Sequence, residues 1–442
     1  MQYAVRLEAL LGDPRDRANP YGRAALWAAG HDALPAPPAE LTVAGKTPPA
    51  PWELARALRP LLRRDLALAH AWSTGPLLHA VVPHPAAALL GPAALLASAA
   101  GVLRGATRIV DGLSRYEPGA GQWQPVLAAV FADLLACESL TALALRSCPA
   151  AGPDVAAPDA AGQHEAGQHE ARQHEAGQHE ARPDAPGCGA HSDSLGAAPL
   201  AAVVGYLVPL LLEELLGDLE LVLNECGFDA DTLERRTLAK ILDDRKFAGA
   251  DWAAARAAQA CLVRGLNSAD RPPPGWQGEP AALFRIGEAA PAAAPGTHSP
   301  QALAATLPAA ARRLAATGTA GTVALARLGR RLSAEQRALR AACAAAPVHE
   351  PADPAARALA DRQALLVLAA AVLGVREAVA ATPESFFGDT DWTLLALARI
   401  TGRLALPLPD HMPQTWPGVW DELARRATNG VDYDLYATRL PW

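Results

Sequence analysis

PVLAAVFADLLACESLTALALR, residues 125–146, carries the strongest fold signal in the chain, because its apolar residues recur at the spacing of an α-helix. Similar Ala- and Leu-rich patterns lie on both sides of it, at residues 86–116, 198–225 and 300–428. Ala and Leu favour helix because they lose little side-chain freedom there. We find no run of alternating residues bounded by turns, which would indicate strands. The sequence therefore predicts an all-α protein.

Length, charge and cysteine usage argue against several classes of protein. At 442 residues the chain is long enough for two or three domains. Its net charge of −7 argues against nucleic acid as a partner, because neutralising phosphates needs a basic face. The six cysteines are dispersed and form no C-x-x-C pair, so we expect neither a disulfide framework nor a zinc site.

Two segments bear on localisation. The N-terminal sequence MQYAVRLEALLGDPRDR has early charges and no apolar core, so we do not read it as a signal peptide. Residues 86–103 are uncharged and approach membrane-spanning length, but they are Ala-rich and contain Gly91-Pro92. A buried core helix is the better interpretation of that stretch. We therefore expect a cytoplasmic protein with no membrane partner.

Composition also predicts the domain boundaries. Residues 149–196 include the tandem repeat QHEAGQHEAR and are too polar to offset their chain entropy by burial, so we predict a disordered linker. Residues 266–299 form a Pro- and Ala-rich connector. The remaining segments are an N-terminal helical domain, a helical bundle interrupted by the linker, and a C-terminal helical domain, at residues 1–85, 86–265 and 300–442 respectively.

Three local patterns in the last segment indicate helix starts. Ser299-Pro300 and Asp353-Pro354 each place a capping side chain before a proline at the first helical position. Ser333 with Gln336 resembles a capping box.

Five segments, taken in order, resemble the acyl-CoA dehydrogenase family, and in particular a bacterial branch with an added C-terminal helical region. They are LEALLGDP with NPY at residues 7–21, RRDLALAH at 63–70, VFADLLACESLTALALR at 130–146, VVGYLVPLLLEELLGDL at 203–219 and LAKILDDRKFAG at 238–249. The resemblance rests on order and spacing over most of residues 1–265. It implies N-terminal helices followed by a four-helix bundle.

In that family a middle β-domain and the bundle hold flavin adenine dinucleotide between them. Here the N-terminal helices, which end near His84-Pro85, lead directly to the first bundle helix, so the middle domain has no counterpart. We therefore expect no cofactor, or flavin adenine dinucleotide only if the family function survives or a partner completes the site.

Asp251 is the candidate catalytic residue. In that family the carboxylate that abstracts an α-proton lies beyond the fourth bundle helix. The sequence at the corresponding place in this chain is Gly249-Ala250-Asp251-Trp252. A base of this kind needs an apolar site that raises its pKa, which Trp252 and Phe247 could help to form. The alternative is that Asp251 is the N-cap of the helix that follows.

Arg115 is the candidate cofactor-binding residue. It lies in Ser114-Arg115-Tyr116, where the family has an arginine that binds the flavin pyrophosphate, but the Phe-Gly or Tyr-Gly dipeptide is missing. It could bind the phosphate of a nucleotide or of a phosphopantetheine arm. The alternative is a solvated side chain near a helix end.

We expect no metal site. Glu213 and Glu214 lack the Glu-x-x-His partners of a paired-metal bundle, so a solvated face is the simpler interpretation. The linker histidines recur every five residues, which does not stack them on one helix face: His164, His169, His174 and His179.

The resemblance implies a protein that acts on or binds an acyl thioester of coenzyme A or of a carrier protein, in bacterial secondary or lipid metabolism, without tight flavin binding. The alternative is a non-catalytic or complementary subunit that partners a full-length flavin-dependent dehydrogenase. A homo-oligomer or hetero-oligomer is expected in either case, because the family assembles through its bundle.

Overall fold

The structure is a computed structural model, and every regular element in the residues that it describes is helical. The described residues are 2–30, 33–37, 50–73, 84–148, 199–226, 232–248, 251–266, 282–286, 299–345, 350–380 and 385–440. Within them the one β-type pairing is an isolated bridge between Val431 and Arg439. The predicted all-α class is therefore confirmed for these residues.

The α-helices of the first half are α1 (Gln2–Leu11), α2 (Arg23–Ala29), α3 (Pro51–Arg64), α4 (Leu66–Ser73), α5 (His84–Ser114), α6 (Gln124–Ser147) and α7 (Pro199–Glu225). Those of the second half are α8 (Leu233–Asp244), α9 (Trp252–Gly265), α10 (Pro300–Ala304), α11 (Leu307–Thr317), α12 (Ala320–Ala345), α13 (Pro354–Val379), α14 (Asp391–Arg403) and α15 (Trp416–Thr428). Short 3-10 turns occur at Pro118–Trp123, Arg245–Ala248, Ala282–Phe284 and Phe386–Gly388.

Helix α6 lies at the centre of the molecule. Almost every residue from Leu127 to Arg146 is buried, as expected for a helix that is apolar on all sides. It packs against α3, α5, α7, α13, α14 and α15. Helices from both halves of the sequence therefore share one hydrophobic core built around α6.

Four of the described helices are long and apolar enough to cross a membrane, judged by length and composition alone. They are Ala88–Ser114, Gly119–Ser147, Leu200–Glu225 and Pro354–Val379. Between 61% and 89% of the most apolar window of each is buried inside the protein. Three of them, α5, α6 and α7, pack against one another, and α13 packs against α6 and α7.

Most of the predicted helix starts are confirmed. The Ser299 hydroxyl accepts a hydrogen bond from the Ala302 N–H at 3.1 Å, and the Asp353 carboxylate accepts one from the Ala355 N–H at 2.9 Å. The predicted capping box at Ser333 is wrong, because Ser333 is buried inside α12 and its hydroxyl donates to the Gly329 carbonyl at 2.6 Å. A serine hydroxyl can form such a bond to the carbonyl four residues earlier inside a helix, so its presence does not indicate a helix start.

Several predictions fall outside the described residues. They include the disordered linker at 149–196 with its four histidines and most of the connector at 266–299. The domain boundaries stay predictions. The C-terminal residues nevertheless pack on helices from the first half of the chain: the Tyr433 ring lies 5.1 Å from that of Phe131 on α6, and the guanidinium of Arg56 on α3 lies 4.2 Å from the centre of the Tyr436 ring.

Candidate functional site: an arginine-rich pocket

The floor of the most informative pocket is one face of α5. In the segment GVLRGATR, Gly101, Arg104, Gly105 and Arg108 follow the i, i+3, i+4, i+7 spacing that places residues on one side of a helix. The glycines leave space for neighbours: a Cβ on Gly105 would lie 2.7 Å from the Glu234 Cγ. The Gly and Arg residues of this face thus place two arginine side chains in the lining of the pocket, together with carboxylates from other segments.

A tight loop between α1 and α2 forms one wall. Its fold depends on Asn19, whose Nδ2 donates to the carbonyls of Leu11 and Asp13 at 2.7 and 2.9 Å. Gly12 has a φ of +60°, a conformation that favours glycine. Arg64 of α3 donates to the Gly12 carbonyl at 2.6 Å and so fixes the loop to the core. This loop and the first residue of α2 supply Asp13, Pro14, Arg15 and Arg23 to the pocket.

A second wall is formed by the first turn of α8. Leu233 and Glu234 line the pocket. Thr232, the N-cap of α8, makes no capping bond, and its Oγ1 is buried without a hydrogen-bond partner among the described residues. The Arg236 guanidinium stacks over the Trp27 ring at 4.5 Å and docks α8 on α2. Because Trp27 lies one turn after Arg23, this contact places Arg23 on the same pocket as Glu234.

Residues 430–440, the C-terminal loop, close the base of the pocket. Leu440 lines it, and its N–H donates to the Gly430 carbonyl at 2.7 Å. Asp432 in this loop accepts from Arg63 Nη1 at 2.6 Å and from Arg59 Nε at 3.0 Å. Arg63 Nη2 also donates to Glu8 at 2.8 Å. Arg63 therefore joins α1, α3 and the C-terminal loop beneath the pocket.

The resulting pocket has a volume of about 390 Å³, within the usual range for small-molecule sites. Its charged lining consists of five arginines and three carboxylates: Arg15, Arg23, Arg63, Arg104, Arg108, Glu8, Asp13 and Glu234. Arginine is in excess, so the pocket carries a positive field that favours an anionic ligand.

Arg104 shows that the charge of the pocket is not fully compensated by the protein. Its Nε and Nη2 atoms are buried and have no hydrogen-bond partner among the described residues. Burial, and to a smaller extent the neighbouring Arg108, lower the pKa of Arg104 to about 10. Burial also lowers the pKa of Arg23, which Glu234 partly offsets. A bound anion would supply the missing acceptors and relieve this repulsion.

The two candidates from the sequence lie elsewhere. Asp251 is exposed and is the N-cap of α9, where its Oδ1 accepts from the Ala254 N–H at 2.7 Å. Trp252 is 63% exposed and does not enclose it. The Arg115 side chain is 67% exposed and its Nη2 forms an ion pair with Asp111 at 2.6 Å. Neither residue lines the arginine-rich pocket.

The described residues do not fit the flavin site that the resemblance implies. They contain no β-sheet to cover an isoalloxazine ring, and Arg115 already has an acidic partner in water. They also contain no group of three or more His, Cys, Asp or Glu side chains placed to hold a metal ion. Glu213 and Glu214 are exposed, as the solvated-face interpretation predicts.

The sequence interpretation missed the arginine-rich pocket. One signal was available: the spacing of Gly101, Arg104, Gly105 and Arg108 in a helix otherwise rich in Ala and Leu. A stripe of that kind shows that one face is not ordinary core. Its partners come from residues 8–23, 63, 233–234 and 440, and only tertiary packing brings these together.

Comparisons of the chain with protein-family models, with curated proteins and with solved structures found no match.

Proposed function

We propose that this protein binds a small phosphorylated ligand in the arginine-rich pocket. The observation that carries the proposal is Arg104, whose buried Nε and Nη2 lack acceptors while four other arginines line the same space. Arginine suits phosphate because its planar fork donates two parallel hydrogen bonds. The pocket is also much larger than the ≈ 30 Å³ share of one water molecule, so it has room for a ligand larger than a solvent ion.

The ligand class that we propose is an acyl thioester of coenzyme A or of a carrier protein. Support comes from the five segments that resemble acyl-CoA dehydrogenases and from the all-helical fold, which is compatible with that family's helical domains joined without a middle domain. Both carriers present phosphate, which the pocket would recognise. In this proposal the protein is an acyl-CoA dehydrogenase-like binder, degenerate for flavin, in which Arg104 positions the carrier.

A second candidate is a non-catalytic or complementary subunit of a full-length flavin-dependent dehydrogenase. Two large aromatic side chains favour it, because they are exposed at the ends of bundle helices where a partner could cover them: Tyr116 is 86% exposed after α5, and Trp252 is 63% exposed at the start of α9. Co-purification of a tagged chain with such a dehydrogenase tests this candidate.

Isothermal titration with coenzyme A, pyrophosphate and pantetheine, which lacks phosphate, tests the first proposal. We expect coenzyme A and pyrophosphate to bind and pantetheine not to bind. Arg104→Gln should weaken both by roughly tenfold or more, the value of a charge-assisted hydrogen bond. Arg340→Gln is the matched control, because Arg340 is exposed on α12 and outside the pocket.

Each other result has a definite meaning. Binding of pyrophosphate without coenzyme A would keep the anion pocket and reject the thioester. If the unmodified protein binds neither, the proposed function is wrong. The melting temperature of Arg104→Gln serves as the folding check, and we expect no loss because the substitution removes an uncompensated buried charge.

A further inference from the structure

The carboxylates in the arginine-rich pocket call for an explanation, because a site for phosphate alone would exclude them. Glu8 is already engaged, since it accepts from Arg63 at 2.8 Å. Glu234 is different. Its negative charge raises the pKa of Arg23. The two side chains nevertheless form no ion pair with each other among the described residues. Both side chains line the pocket.

Glu234 is also held in place. Its Cγ lies so close to α5 that a Cβ on Gly105 would approach it to 2.7 Å. The side chain follows directly from the first turn of α8, which the contact of Arg236 with Trp27 docks on α2. A carboxylate at this position accepts hydrogen bonds and cannot donate them. It repels a phosphate and would attract a group that donates.

We propose that the ligand is a phosphorylated sugar or nucleoside, whose phosphate binds Arg104 while its hydroxyl groups donate to Glu234. This inference rests on the proposed function and narrows it. Coenzyme A carries a ribose phosphate, whereas the phosphopantetheine arm of a carrier protein carries a phosphate without a sugar. The arrangement of Arg104 and Glu234 therefore selects a nucleotide-linked thioester over a carrier-protein one.

The test compares two probes that both present a phosphate monoester, ribose 5-phosphate, which carries a sugar with free hydroxyl groups, and methyl phosphate, which carries none. Isothermal titration should show that ribose 5-phosphate binds the unmodified protein about tenfold or more tightly, the effect of a hydrogen bond to a charged acceptor. In Glu234→Gln the two probes should bind with similar affinity. In Glu220→Gln the preference should persist, because Glu220 is exposed on α7 and outside the pocket.

The outcomes separate this inference from the proposed function. Equal affinity of the two probes for the unmodified protein would overturn the sugar while leaving the phosphate site in place. A preference for ribose 5-phosphate that survives in Glu234→Gln would overturn the role of Glu234. Failure of both probes to bind would overturn this inference, and the proposed function would fall with it only if coenzyme A and pyrophosphate also fail to bind. Circular dichroism of Glu234→Gln, matched to that of Glu220→Gln, establishes that the variants compared are folded.

Discussion

Glu138 is a buried carboxyl whose charge the folded protein disfavours. It accepts from Arg59 Nη1 at 2.6 Å, but Arg59 also contacts Asp432 and Asp434 at 3.0 and 3.8 Å. Burial raises the pKa of Glu138 to about 7, although Arg59 lowers it. For Asp432 burial acts in the same direction, but Arg59 and Arg63 outweigh it and hold the pKa of Asp432 below its ordinary value. Two guanidinium groups thus stabilise the charge of Asp432, whereas Glu138 shares only that of Arg59.

This difference predicts a pH dependence. Between about pH 4.5 and 7 the folded state keeps a proton on Glu138 that the unfolded state releases. Stability from this group is therefore complete below about pH 4.5 and lost as the pH rises through about 7. Relative to Glu138→Gln, the unmodified protein should lose up to about 3 kcal/mol of unfolding free energy between pH 4.5 and 7.5. Urea denaturation across this range measures it.

The control for that series is Glu220→Gln, at an exposed position. Its unfolding free energy should follow that of the unmodified protein at every pH. A difference between the unmodified protein and Glu138→Gln that stays constant with pH would show that folding does not raise the pKa of Glu138.

At the scale of the element, α5 depends on one glycine for its packing. A Cβ on Gly91 would lie 1.7 Å from the carbonyl oxygen of Ala248, which belongs to the 3-10 turn after α8. Because this oxygen belongs to the backbone, a change of side-chain rotamer cannot relieve the clash. Gly91→Ala should therefore lower the unfolding free energy by about 1–3 kcal/mol, as overpacking does.

Gly112 on the same helix is the matched control, because a Cβ there would meet no atom within 4 Å. Gly112→Ala should raise the unfolding free energy by up to about 1 kcal/mol through helix propensity. Thermal melts of the two variants should shift in opposite directions. Equal shifts would mean that α5 and the turn at Ala248 are not in close contact.

Elements were easier to predict from the sequence than their arrangement. Residues 125–146 and 198–225 were predicted as helices within two residues of α6 and α7, because apolar spacing is a local property. Ser299, Asp353 and Asp251 act as caps for the same reason. The helix start predicted at Ser333 was wrong because the hydroxyl of this residue forms a hydrogen bond within its own helix. The pocket around Arg104 could not be predicted, since its residues lie up to 432 positions apart, from Glu8 to Leu440.

At the scale of the whole molecule, the charges on α6 bear on where the protein resides. Asp133 accepts from Arg399 Nε at 2.6 Å and from Arg403 Nη2 at 2.8 Å, both on α14. Near the other end Arg146 Nε donates to the Leu283 carbonyl at 2.9 Å. An aspartate or arginine at the centre of a membrane span costs about 2.5–3.5 kcal/mol. Here the partners come from surrounding segments of the chain, which favours a role for α6 in a protein core.

We therefore expect the untagged chain, expressed without detergent, to remain in the high-speed supernatant and to be released from any pelleted membranes by alkaline carbonate. Asp133→Asn is the informative variant, because it removes the buried negative charge that Arg399 and Arg403 share, and these two half-buried arginines keep only their pairings with Asp218 and Glu214. In a globular protein this should lower the unfolding free energy by about 1.5–3 kcal/mol, the contribution of a hydrogen bond to a charged group. In a membrane span the same change would make insertion more favourable. Recovery of the unmodified chain only with detergent, together with undiminished stability of Asp133→Asn, would show that the four apolar helices cross a bilayer.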